Sequence, residues 1–87
     1  DLYSFDGKAG DVVLINATKV SSWPFPASLY VEVFDPMGKS IGKGDAWNVS
    51  TVTLRPALSV SGRHSIVVRA EGTVTGTYKL ALQKVGG

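Results

Sequence analysis

The chain has 87 residues, 44% of them hydrophobic, no cysteine, and nine Lys and Arg against seven Asp and Glu for a net charge of +2. That suits one small domain with a single core, held without disulfides, and it excludes zinc ribbons, thiol nucleophiles and iron–sulfur clusters. The charges alternate without basic blocks, which argues against nucleic acid as a partner, and no apolar run approaches the roughly 18 residues of a membrane-spanning helix.

Helical periodicity is absent. Apolar residues recur at every second position in short runs separated by Gly, Pro, Asn and Asp, the pattern of β-strands joined by turns. The first run is "LYSF" (2–5), followed by the glycine-containing turn "DGKAGD" (6–11) and the second run "VVLINAT" (12–18), in which Asn16 opens an N-x-T sequon. "SSWPFPAS" (21–28) then sets Trp23 and Phe25 around Pro24 and ends on Pro26. Two prolines so close exclude a regular helix or a central strand, since each removes a backbone donor and fixes its own φ. This segment is a loop, and its aromatics either cap the core or face a partner.

The third run, "LYVEVF" (29–34), leads into "DPMG" (35–38), with Asp, Pro and Gly at the first, second and fourth positions of a type I turn. A hairpin to a short strand at 39–41 follows, which Gly42 and Gly44 are expected to end. "GKSIG" (38–42) fits the G-x-S-x-G nucleophile elbow, but the elbow needs a strand-to-helix turn, and here a hairpin arm follows instead. Trp47 and the sequon at Asn48 precede the run "STVTLR" (50–55). "SGR" (61–63) opens "HSIVVRA" (64–70), whose His64 is the only histidine, and "EGTVTG" (71–76) leads to "TYKLALQ" (77–83). By parity with Ile66 and Val68, His64 points inward, as a core ring with one polar tip satisfied by a hydrogen bond.

Side chains two apart share a face of a sheet. Tyr3, Phe5, Val13, Ile15, Leu29, Val31, Val33, Val52, Leu54, Ile66, Val68, Tyr78, Leu80 and Leu82 form the expected core, and the opposite set is mostly polar. One buried and one wet face per strand specifies an all-β, two-sheet antiparallel β-sandwich with about seven to eight strands. Val12, Leu14, Tyr30, Phe34 and Val67 break the rule by being apolar on the wet side. Tyr30, Glu32 and Phe34 form an aromatic–acid–aromatic row on one strand, which with Trp23, Phe25 and Trp47 makes the candidate binding set. Asp1, Asp6, Asp11, Asp35, Asp45 and Glu71 supply oxygens for a hard cation, with Asp6, Asp11 and Asp45 the calcium candidates. No D-x-D-x-D-G loop preorganises them, and Asp35 is better explained as a turn former.

The order of these motifs resembles the pre-peptidase C-terminal domains of bacteria and archaea. "DLYSFDGKAGDVVLI" resembles their opening D-x-Y-x-F, turn and alternating strand; "LYVEVFDPMGKSI" resembles their D-P-x-G hairpin; "SGRHSIVVRAEGTVTGTYKLAL" resembles their closing G-x-Y-x-I-x-V and G-x-Y-x-L-x-L pair. The sequence departs from the family in carrying His64 where Tyr is usual and in its Trp-Pro-Phe-Pro loop. The resemblance implies a jelly-roll sandwich appended to a secreted hydrolase, above all a protease. Such a domain is non-catalytic, needs no cofactor though relatives sometimes hold calcium, and acts on stability, secretion or substrate attachment.

Three readings follow. The first is an accessory domain working beside the catalytic domain of its parent, outside the cell or on its surface. The second is a binding module for polysaccharide or fibrous protein. The third is a surface spacer of adhesin type. The sequence starts at Asp1 with no signal-peptide pattern, so residues 1–87 are read as a single domain, either a processed protein or a piece excised from a longer secreted one.

Overall fold

The computed structural model describes residues 2–20, 28–46, 50–71 and 77–86. They form seven strands, β1 (Leu2–Gly7), β2 (Val12–Lys19), β3 (Ser28–Phe34), β4 (Ser40–Ala46), β5 (Thr51–Leu54), β6 (Gly62–Glu71) and β7 (Tyr78–Gly86), with no helix among the described residues. A four-stranded sheet has the order β1-β6-β3-β4 and a three-stranded sheet the order β5-β2-β7. Every pairing between strands is antiparallel. The all-β two-sheet sandwich expected from the alternating pattern is the fold. Consecutive strands β1 and β2 fall in different sheets, so 8–11 is a crossing between layers and not a hairpin.

The core lies between the layers. Val13, Ile15, Ala17 and Val52 from the smaller sheet meet Leu29, Val31, Val33, Ala46, Ile66 and Val68 from the larger, with Leu58 closing one end. Phe5, Ile41, Leu54, Tyr78 and Leu80 pack against this cluster while only partly buried. Two expected core residues depart from the pattern, since Tyr3 is 39% exposed and Leu82 42% exposed. Both have inner-face parity, but they sit on β1 and β7, edge strands of their sheets, where the opposite layer does not reach over them. Parity assigns a side of the sheet; burial also needs a neighbour on that side.

The "DPMG" turn forms as its residues dictate. The Gly38 N–H donates to the Asp35 carbonyl (3.0 Å), and Gly38 itself has φ +85°, a conformation glycine adopts without penalty. Asp35 Oδ1 accepts from the N–H groups of Met37 and Lys39, both at 2.9 Å. The hairpin sets Leu29 opposite Ala46 and Tyr30 opposite Asp45, with a bulge between Val33 and Phe34. β4 runs through Gly42 and Gly44, which corrects the expectation that these glycines end it. A Cβ on Gly44 would lie 3.2 Å from Val52 Cγ1, so the missing side chain lets β5 of the other layer approach β4 closely.

His64 is fully buried, as its parity requires. Its ring stacks on Phe5 with centroids 5.1 Å apart, and Nδ1 lies 3.0 Å from the Gly62 carbonyl, to which it donates as the Nδ1–H tautomer. Nε2 is buried without a hydrogen-bond partner. The pocket is tight, for a Cβ added to Gly7 would collide with the Leu58 methyl group and press on the imidazole.

Candidate binding face

The solvent side of the four-stranded sheet is assembled by register. Leu2, Val67, Glu32 and Lys43 are successive cross-strand neighbours over β1, β6, β3 and β4, and Ser4, Ser65, Phe34 and Ser40 form the next such row. Arg69, Tyr30 and Asp45 form a third. Tyr30, Glu32 and Phe34 project from one face of β3, as alternation predicts, and all three are half-buried.

These side chains are tied together. The Tyr30 hydroxyl donates to Glu32 Oε1 at 2.8 Å, and the Arg69 guanidinium lies 4.4 Å from the centroid of the Tyr30 ring, a cation–π geometry. The Ser40 hydroxyl foremost, and the Tyr30 hydroxyl after it, hold the Glu32 carboxyl below its ordinary value; desolvation opposes them, and the charges of Lys43 and Arg69 add lesser lowering effects. The resulting patch has two acids, Glu32 and Asp45, against two bases, Lys43 and Arg69. It suits a neutral polar or aromatic-seeking partner better than a polyanion. Arg69 occupies one face of the Tyr30 ring, and Phe34 is the second aromatic side chain of the row.

Ser40, Lys43 and Arg69 belong to this site although the sequence reading did not place them there. The signal was present in the "DPMG" turn, which fixes the β3–β4 register and so puts Lys43 opposite Glu32. Arg69 could be found only by knowing that β6, more than thirty residues along the chain, pairs with β3. Of the remaining binding candidates, Trp23, Phe25 and Trp47 lie outside the described residues. Val12 and Leu14 project from β2 in the other sheet, so the outward apolar residues do not form one cluster. Val12 is half-covered where it bridges to Ala57.

The calcium candidates are not brought together as a set. Asp6 on β1 faces Arg63 across the strands, with a 3.6 Å ion pair between exposed side chains. Asp11 accepts from the Lys8 N–H at 3.2 Å and pairs with Lys84 Nζ at 3.4 Å. Asp45 is on β4, at the opposite edge of the larger sheet from Asp6. Among the described residues no three His, Asp or Glu side chains gather as a cation site. Asp35 is occupied by its turn, while Asp1 and the Glu71 side chain lie outside the description.

Ser40 and His64 are held apart by the sheet itself, the hydroxyl on the solvent side beside Glu32 and the imidazole in the core. Asn16 is half-buried in mid-strand, its Oδ1 accepting from the Thr53 hydroxyl at 2.8 Å, and Asn48 lies outside the described residues. No helix among the described residues is long and apolar enough to cross a membrane. No family model, no curated protein and no solved structure matches the chain.

Proposed function

We propose that this chain is a non-catalytic accessory domain of a secreted hydrolase, a protease being the parent its motifs suggest, and that it stabilises the catalytic domain or positions it on substrate. The observation that carries this reading is that the side chains most capable of chemistry are engaged in architecture. His64 fills the core, Asp35 closes a turn and Ser40 holds Glu32. The motifs that resemble pre-peptidase C-terminal domains supply β1 and β2, then β3 and the start of β4, then β6 and β7.

The test is deletion of these residues from the parent protein. Loss of heat resistance, or slower turnover of macromolecular substrate with small-substrate turnover unchanged, is the expected result. A parent whose melting temperature and turnover are both unaltered would rule the reading out. The row Tyr30, Glu32 and Phe34 favours a second reading, a module that grips polysaccharide or fibrous protein through the outer face of the larger sheet. Its test is a pull-down on insoluble polymers with the wild-type chain and Phe34→Ala. Retention that the variant abolishes supports it, and no retention by the wild type removes it.

A further inference from the structure

Two of the three tyrosines are brought together by the sandwich. Tyr3 is on β1 of the larger sheet, and Tyr78 is at the head of β7 of the smaller one. β4 and β5 lie against each other, whereas no Cα of β1 comes within 8 Å of a Cα of β7. Side chains span that separation, for the two phenol hydroxyls meet at 2.7 Å between residues 75 positions apart in the chain. The pair differs in access to solvent. Tyr3 is 39% exposed, while Tyr78 is half-buried and packs against the core cluster. The third tyrosine, Tyr30, is kept away from both. Tyr3 lies opposite the core residue Ile66 and so on the inner side of the larger sheet, whereas Tyr30 projects from the solvent side and gives its hydroxyl proton to Glu32.

We propose that Tyr3 and Tyr78 form an oxidative cross-linking site, at which one-electron oxidation joins the two rings as dityrosine and bonds the larger sheet to the smaller. The co-reactant is hydrogen peroxide acting through a haem peroxidase. The first oxidising equivalent takes an electron and a proton from the exposed Tyr3 and leaves a neutral phenoxyl radical. A hydrogen atom then crosses the short hydroxyl contact from Tyr78, so the radical passes to the less accessible ring and Tyr3 is a phenol again. A second equivalent oxidises Tyr3 once more. The unpaired electron of a phenoxyl is shared with the two ring carbons beside the oxygen-bearing one, the Cε atoms, and a carbon–carbon bond forms between one Cε of each ring. The hydrogens on those carbons move to the oxygens, which restores both phenols. In sum the protein loses two hydrogen atoms and one hydrogen peroxide becomes two waters. Coupling of separate phenols waits on an encounter, and the hydroxyl contact supplies that proximity in advance. The new bond restricts the unfolded chain as a disulfide of the same span does. This inference does not depend on the accessory-domain reading, since it rests on the tyrosine pair alone.

The experiment treats a dilute solution of the 87-residue chain with hydrogen peroxide and a haem peroxidase, under conditions that couple free tyrosine. Dityrosine fluorescence, the intact mass and the peptides of a protease digest are read. The expected product is a fluorescent monomer lighter by two hydrogens, with the peptide carrying Tyr3 joined to the one carrying Tyr78. Its melting temperature is expected to rise by about 10 °C. Tyr3→Phe and Tyr78→Phe, each of which removes one hydroxyl and keeps the ring, are expected to lose the fluorescent monomer. A monomer without dityrosine, cross-links found only between chains, or a bond that maps to Tyr30 would overturn the proposal. So would a fluorescent monomer that persists in Tyr3→Phe.

Discussion

Asp35 offers the sharpest test of how the larger sheet is built. One carboxylate oxygen accepts two backbone N–H groups, from Met37 and Lys39, and so pins the turn that sets the β3–β4 register. Hydrogen bonds to a charged acceptor contribute roughly 1.5–3 kcal/mol each when the donor is otherwise left bare. Here Met37 is 81% exposed and Lys39 is exposed, so water replaces much of what is lost. The comparable loss at a helix N-cap is about 1 kcal/mol, so two such bonds give Asp35→Ala a cost of about 2 kcal/mol. For a domain of this size that lowers the melting temperature by roughly 8–16 °C. Asp35→Asn keeps an oxygen acceptor without the charge and should lose about half as much, neutral hydrogen bonds being roughly half as strong. Thermal unfolding followed by circular dichroism measures all three proteins. An alanine variant within about 3 °C of wild type, or an asparagine variant as damaged as the alanine one, would refute the account of the turn.

His64→Ala, which empties the slot against Phe5, should cost about 3 kcal/mol, seen as a lower denaturant midpoint. Nitrogen chemical shifts of wild-type His64 should show the proton on Nδ1; a proton on Nε2 would contradict the bond to the Gly62 carbonyl. Glu32 has a lowered folded-state pKa, so its contribution to stability is present above its ordinary value of 4.5 and is lost as pH falls through the folded value. The acid limb of the stability curve should therefore flatten in Glu32→Gln, and a curve unchanged below pH 4.5 would be the contrary result. Burial, with help from the Tyr3 hydroxyl, pushes Tyr78 up from 10.0 to about 12. Its contribution is whole below pH 10.0 and fades as pH rises toward about 12, and Tyr3→Phe should move the ultraviolet titration of Tyr78 downward. An unmoved titration would show that the hydroxyl pair is not formed.

The strands were legible because each needs only its own period-two pattern, and Val31, Val33, Ile66 and Val68 fall in the dry layer that pattern assigns. β4 was foreshortened because Gly42 and Gly44 read locally as punctuation. What keeps the strand going is its pairing with β3, Gly42 opposite Val33 and Gly44 opposite Val31, which no local pattern encodes. Tyr3 and Leu82 were misjudged for a related reason, since alternation does not reveal where one sheet outreaches the other. The candidate face was half legible. Tyr30, Glu32 and Phe34 share one strand and could be read directly, whereas Ser40, Lys43 and Arg69 join them only through pairing across three strands.

The terminal strands carry one further consequence. β1 starts at the end of the sandwich where β6 finishes, while β7 finishes at the end where β2 starts, so Leu2 and Gly86 leave from opposite poles. Tension applied between those poles runs parallel to the strands and loads the bonds joining β1 to β6 together, in shear. A protein pulled this way resists as a lap joint does; pulled between Leu2 and Glu71, at the same pole, it would peel bond by bond. Force spectroscopy through the two pairs of attachment points should give a higher rupture force for the first.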